Sequence, residues 1–362
     1  MKKFAGIAVC FCFLFAAAAP AQNSHPTFTT FEAPGAGTGF GQGTETESIN
    51  AAGAITGWYI DASGVDHGYV RATGGTINTF DGPGAQFTVA YGINATGAIT
   101  GYYADASNVN HGFVRASSGA ITTFDAPGAG TGAYQGTSAY SINATGSIAG
   151  FYTDASRVYH SFVRVASGAI TMFDAPGAGT GANLGTFGDS INATGAIAGY
   201  YADASNAYHG FVRSASGVIT AFDAPGAGTG NYQGTFPSGI DRAGAIAGYY
   251  LDASYVYHGF ERSASGVIAT FNATGAGTST YQGTITYGIG PDGAIAGWYV
   301  DASNVYHGFV RAASGTITPF NCPGAGTGTT QGTLAGSINT AWSIAGSYLD
   351  AGNVYHGYLL TP

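Results

Sequence analysis

Charge is scarce in this chain. Charged residues fill 8% of its 362 positions, against about 25% in ordinary soluble domains. Lysine occurs only at Lys2 and Lys3, and 10 basic residues face 19 acidic ones, a net charge of −9. That balance argues against a nucleic-acid binder, which needs a basic face to neutralise phosphates. It argues equally against a polybasic membrane-surface protein. Cysteine is nearly as rare, at Cys10, Cys12 and Cys322 only. Past the N-terminal segment no apolar run is long enough to cross a bilayer, so membrane insertion is not expected. Glycine (61), Tyr (24) and Phe (22) are abundant instead. A hydrophobic share of 45% with 14% aromatics is too high for a disordered chain.

The first residues read as an export signal. Lys2 and Lys3 precede an apolar run from Phe4 to about Ala18, too short to span a membrane comfortably. Ala19-Pro20-Ala21 fits the small-x-small cleavage pattern. Residues 1–21 are therefore expected to be a signal peptide and residues 22–362 a single domain. Ile7-Ala8-Val9 lack the small residue expected beside a lipidated cysteine. Cleavage removes both lysines, leaving eight Arg against 19 acids and a net charge of −11. Cys322 is then the sole cysteine, so no internal disulfide is expected. The reading is a secreted or periplasmic protein held together by its core alone.

Internal repeats decide the architecture. The segment Thr-Phe-Asp-Ala-Pro-Gly-Ala-Gly, or a close variant, recurs with its Phe at Phe31, Phe80, Phe124, Phe173, Phe222, Phe271 and Phe320. The spacing is 49 residues except for one interval of 44, which lacks five residues in the loop after Phe80. A second landmark, His-Gly-Phe or close to it, stands at His67, His111, His160, His209, His258, His307 and His356. One unit contains four short apolar runs: Thr137 to Asn143, Ser147 to Tyr152, Tyr159 to Val165 and Ala169 to Asp174. Asn143-Ala144-Thr145-Gly146 and Ala166-Ser167-Gly168 are turn chemistry. Four strands in about 49 residues is the length of a propeller blade.

Strand side chains alternate between faces. Tyr102-Tyr103, Phe151-Tyr152 and Tyr249-Tyr250 put an aromatic on each face, so both faces are expected to be covered. The Gly before each pair (Gly101, Gly150, Gly248) is read as room for a neighbouring blade's aromatic. The mature chain opens with a fourth-strand segment, Thr27 to Gly35, and ends after a third-strand segment, Tyr355 to Leu360. Pairing those two closes a ring and removes free edges. The expectation is an all-β, seven-bladed β-propeller of four-stranded blades, with the last blade closed by the N-terminal strand.

The run Ile191-Asn192-Ala193-Thr194-Gly195-Ala196-Ile197-Ala198-Gly199-Tyr200-Tyr201, followed by His209-Gly210-Phe211-Val212-Arg213, resembles the bacterial extracellular repeats called the HAF family. The likeness covers essentially the whole mature chain. It departs in carrying Gly where that motif has Ala, and Ser161 after His160. The resemblance implies a repeat type and brings no activity, because the family is defined by its repeat.

Several recurring residues are candidates for chemistry. Asp61, Asp105, Asp154, Asp203, Asp252, Asp301 and Asp350 each precede a landmark His by six residues. They read as Asx-type turns with the His packing or hydrogen-bonding at the head of the third strand. A ring of Asp–His pairs for metal or proton transfer is the sharper alternative. Arg71, Arg115, Arg164, Arg213, Arg262 and Arg311 end the third strands and are expected to pair with local acids or solvent. Asn-Ala-Thr at Asn94, Asn143, Asn192 and Asn272 matches a glycosylation sequon but reads as hairpin turns. The Gly-Ala-Gly-Thr-Gly loops lack the Lys-Ser/Thr ending and the helix of a phosphate loop. Neither a cofactor nor a metal site is expected.

One position varies while its neighbours barely change. Two residues before the recurring Ile of the inner strand stand Glu47, Tyr91, Tyr140, Asp189, Ser238, Tyr287 and Gly336. Mixed chemistry at a channel mouth suits an asymmetric ligand, so Glu47, Tyr91, Tyr140, Asp189 and Tyr287 are the expected ligand-binding residues. The leading expectation is a non-catalytic binding module for polysaccharide or a cell-surface protein, with loop residues Tyr134, Gln135, Tyr232 and Gln233 stacking on and hydrogen-bonding to sugars. The alternatives are a glycan hydrolase or lyase using Glu45, Glu47 or Asp189, and a structural envelope protein.

Overall fold

A computed structural model describes residues 26–290 and 292–362; the expected signal peptide, residues 1–21, lies outside them. The described residues form 28 strands and no helix. Hydrogen bonds join the strands into one nearly closed sheet system of repeated, propeller-like units. The unit read from sequence appears as Gly136–Ile142, Ile148–Thr153, Tyr159–Arg164 and Ile170–Phe173. These four pair consecutively and antiparallel. Tyr159 of the third strand then meets Gly185, the first residue of the next unit, in a parallel bridge. Gly185 has φ +129°, and a Cβ there would run into the Tyr159 carbonyl, so glycine is required at this junction.

Each first strand carries a β-bulge. Its register slips between Ala139 and Ser141, leaving Tyr140 opposite no partner. The same slip isolates Glu47, Tyr91, Asp189, Ser238 and Tyr287, and in the last unit Gly336 with Ser337. A bulge re-aims side chains and bends its strand. Gly150 lies directly across from Ala139. A Cβ on Gly150 would collide with the Ser138 carbonyl and stand 3.0 Å from the Phe162 ring. Both obstacles belong to its own unit, so this glycine clears the bulged strand and its own third strand. That corrects the expectation of a neighbouring unit's aromatic.

Packing between units includes one recurring aromatic contact and one recurring cation. Phe124 of a fourth strand meets Phe162 of the next third strand edge-on, with ring centroids 5.9 Å apart. Phe80–Phe113, Phe173–Phe211, Phe222–Phe260 and Phe271–Phe309 repeat it. The third-strand arginines lie over the same fourth-strand rings, at 4.7–5.0 Å from the centroids. Of the expectation that they pair with local acids or solvent, the pairing with acids is thereby corrected. Of the six, only Arg311 makes an ion pair with an acid, Glu261 at 2.8 Å, among the described residues. A guanidinium on a ring stabilises by about 0.5–2 kcal/mol while its stem covers apolar surface.

The chain ends meet. Thr27–Phe31 pairs antiparallel with Tyr355–Thr361, Phe31 opposite Gly357. Phe31 then packs on Tyr69 of the first unit, 6.2 Å between centroids.

A polar relay crosses the same junctions. Asn143 Nδ2 donates to the carbonyl of Asn192 at 3.0 Å, while its Oδ1 accepts from the amides of Thr145 and Ser147. The sequence reading of a hairpin turn covers the second role and misses the first. Asn50, Asn94 and Asn192 donate to the next unit in the same way, and Asn339 donates to Asn50. Asp241 and Gly290 interrupt the series, since neither side chain can donate. Replacing Asn143 by Asp is expected to cost about 2 kcal/mol, because a buried donor is lost and a carboxylate faces a carbonyl. Asp241→Asn, which supplies a donor toward Gly290, should stabilise by roughly 0.5–1 kcal/mol. Denaturant titration checks both, and an unchanged midpoint for Asn143→Asp would remove the relay from the energetics.

Candidate functional site

The bulges decide what enters the centre. Glu47, Tyr91, Tyr140, Asp189 and Tyr287 all line one cavity of about 350 Å³. Five expected site residues, drawn from five units, are thus brought together. Their depth differs from expectation. The bulge is the fifth residue of a seven-residue strand such as Gly136–Ile142. At about 3.3 Å per residue it lies roughly 13 Å along the strand from the loop face and nearer the Asn-turn end. The ring is therefore set back from the loop face, not placed at a loop-side mouth.

The residues of the ring touch across it. Tyr91 stacks on Tyr140 at 4.4 Å. The Tyr287 hydroxyl donates to Glu47 Oε2 at 2.5 Å, reaching past Gly336 of the last unit, which has no side chain to block it. Burial pushes the Glu47 carboxyl up to about 8; the Tyr287 hydrogen bond opposes this, and the charges of Glu45 and Asp189 add to it. Burial alone raises Asp189 to about 7. Burial also pushes the phenols of Tyr91, Tyr140 and Tyr287 upward, so these rings present neutral hydroxyl donors. Among the described residues no Arg or Lys lines this cavity.

Glu45 does not line it. The bulge and strand pairing put Glu45 beside Trp58, where burial and then the charge of Asp66 raise its carboxyl to about 7.

A second cavity of about 670 Å³ opens toward the loop face, lined by Tyr159, Phe187, Tyr208 and Tyr232 among others. It shares Tyr200 and Phe236 with the central one, so the two adjoin across these rings. The rings form a continuous run: Phe151–Phe187 at 5.1 Å, Phe187–Tyr200 at 4.9 Å, Tyr200–Phe236 at 5.3 Å and Phe236–Tyr249 at 5.1 Å. The run arises because the third residue of the first strand is aromatic in these two units and stands opposite the aromatic of the second strand.

At the rim, Tyr134, Tyr232 and Tyr281 are exposed and hold φ near +60°. Such a backbone costs a bulky residue about 1 kcal/mol or more. The Gln beside each behaves otherwise. Gln135 and Gln233 are buried; their Oε1 atoms accept from Gly132 and Gly230, and their Nε2 atoms donate to Ala155 and Ala253. These amides brace the loop and are not free to bind a sugar, which corrects the reading of Gln135 and Gln233.

The His–Asp series also resolves. Asp154 Oδ1 accepts from the amides of Ser156 and Val158, as an Asx turn does. His160 stacks on Tyr152 at 5.0 Å and places Nδ1 2.9 Å from Asp174. Each landmark His is thus held between two side chains and a ring. The second partner, the residue after the fourth-strand Phe, was missed in sequence, although Asp or an equivalent recurs there.

No protein-family model matches the sequence, and no curated protein matches it. Among solved structures the chain is similar to "Streptogramin B lyase structure", with a TM-score of 0.56 at 14% identity, covering 93% of this chain and 98% of that one. It is also similar to the BP39L lectin from Burkholderia pseudomallei, with a TM-score of 0.57 at 8% identity, covering 88% and 96%. At these identities the likeness concerns the fold alone.

Proposed function

We propose that this chain is an exported, non-catalytic carbohydrate-binding module. In this reading the seven repeats are seven propeller blades of the HAF repeat type, and the strand Thr27–Phe31 completes the last blade. The protein acts in the periplasm or outside the cell, on polysaccharide or a glycosylated surface. One observation carries the reading: the unbroken run of rings from Phe151 to Tyr249, of which Phe187, Tyr200 and Phe236 line the loop-side cavity together with Tyr159, Tyr208 and Tyr232. Sugar rings present flat C–H faces that stack on aromatics, and a concave aromatic groove with a few hydroxyl and amide groups provides such contacts. The fold shared with a protein described as a lectin supports the reading at the level of architecture.

A glycan and polysaccharide screen of the mature chain tests it. Tyr208→Ala and Tyr232→Ala are expected to weaken the best ligand at least tenfold, since each removes a stacking face worth about 1.5 kcal/mol. A screen in which nothing binds would overturn the proposal. The second reading, a polysaccharide hydrolase or lyase, is favoured by two carboxyls with raised pKa in one cavity, Glu47 and Asp189. Turnover of a polysaccharide panel that disappears in Glu47→Gln would establish it in place of the first.

A further inference from the structure

We propose that the central cavity takes a protonated amine, and that the ligand is a glycan whose sugars carry free amino groups; the glycan half of this rests on the function proposed above. Several features of the cavity converge on a cation. Two carboxyls, Glu47 and Asp189, enter it from different units, and no basic residue lines it among the described residues. Asp189 has no hydrogen-bond or ion-pair partner among the described residues, and Glu47 accepts only from Tyr287. Aromatic rings, among them Tyr91, Tyr140, Tyr200 and Tyr249, share the remaining walls with serines and small residues.

An ammonium group meets all of this at once. It donates three hydrogen bonds to acceptors that neutral hydroxyls would satisfy without balancing charge. Its charge is attracted by the ring faces, most strongly where water is excluded. A neutral N-acetyl group brings bulk and no charge to the same place. The basic residues of the chain do not compete, because six of the eight arginines outside the N-terminal segment are engaged on phenylalanine rings between units. With a net charge of −11 after loss of Lys2 and Lys3, the whole molecule also draws cations toward it. The cavity adjoins the aromatic groove through Tyr200 and Phe236. One chain of sugars can therefore lie on the groove and place an amino-bearing ring in the centre.

Calorimetric titration at pH 7, where a bound ammonium displaces the protons that burial keeps on Glu47 and Asp189, tests this with four probes: glucosamine oligomers, their N-acetylated counterparts, glucose oligomers of equal length, and free glucosamine. The deacetylated oligomer is expected to bind at least tenfold more tightly than the acetylated one, and to lose that advantage in 0.5 M salt. The ratio should fall below threefold in Glu47→Gln/Asp189→Asn, with circular dichroism confirming the fold. Equal binding of all oligomers would overturn the amine site and leave the glycan reading standing. Binding of free glucosamine without any oligomer would keep the amine site and sink the glycan reading. No binding by any probe overturns the amine site and leaves the glycan reading to the broad screen, and a preference unchanged in the double variant overturns the assignment to Glu47 and Asp189.

Discussion

Deleting residues 26–31 is expected to lower the thermal midpoint by more than about 10 °C and to make the protein self-associate. The segment is short, but both its phenylalanines hold the closure. Phe28 lies 5.7 Å from Tyr358 and 6.0 Å from Phe320. Phe31 lies 6.2 Å from Tyr69, with the Arg71 guanidinium 5.0 Å from its centroid. Loss of two packed Phe side chains costs about 6 kcal/mol on the scale of large-to-small core substitutions, and each kcal/mol shifts the midpoint by about 2 °C in a chain of this size. The deletion also strips Tyr355–Thr361 of its partner strand. An unpaired edge recruits other chains, so light scattering should rise with concentration. A synthetic peptide spanning residues 26–34 should restore the midpoint in a dose-dependent way. A truncated chain that stays monomeric with an unchanged midpoint would show that the two ends do not close the structure.

This dependence on the ends was legible in sequence because the repeat phase is offset. The chain opens on a fourth-strand segment and closes on a third-strand one, and period and turn chemistry alone reveal that. The four strands of the unit from Gly136 to Phe173 were legible to within a residue for the same reason, since every unit repeats the same apolar runs and turn residues, whereas the N-terminal segment read to Gly35 ends as a strand at Phe31. The ring of variable residues was legible too, since Glu47 and Asp189 stand out against constant neighbours. Its depth was not, because a bulge leaves no mark in an apolar pattern. Contacts between units were the least visible. Phe124 and Arg164 are 40 residues apart, and each recurs once per unit, so sequence gives no reason to pair them. The recurring Asn, as at Asn143, has a sufficient local reason to be there, its turn, which hides its bond to Asn192. The Tyr287–Glu47 contact spans 240 residues and depends on Gly336 being bare, so it needs coordinates.

The carboxyls of that ring set the pH dependence of stability. Glu47 and Asp189 titrate at about 8 and about 7 in the fold, against ordinary values of 4.5 and 3.8. Between those limits the folded chain keeps protons that the unfolded chain has released. Stability must therefore fall as pH rises from about 4 toward 8, and level off above it. The full shifts convert to several kcal/mol, but the cavity opens to water, and about 2 kcal/mol per carboxyl is the expected loss after screening. On the acid side the sign reverses. The Val65 and Val109 amides hold Asp61 and Asp105 below their ordinary range, so their contribution is present above about 4 and disappears as pH falls through their folded values. Together these place the stability maximum near pH 5. Glu47→Gln/Asp189→Asn should remove more than half of the decline between pH 5 and pH 9 and make the variant the more stable protein at pH 9. The remaining slope belongs to Glu45, raised to about 7 by burial and by Asp66, and to Asp66, which burial also raises. Thermal midpoints by circular dichroism across that range read the effect directly. A double variant that declines as steeply as the parent would mean that these two groups are ionised and solvated in the fold, and that the channel is wetter than its geometry implies.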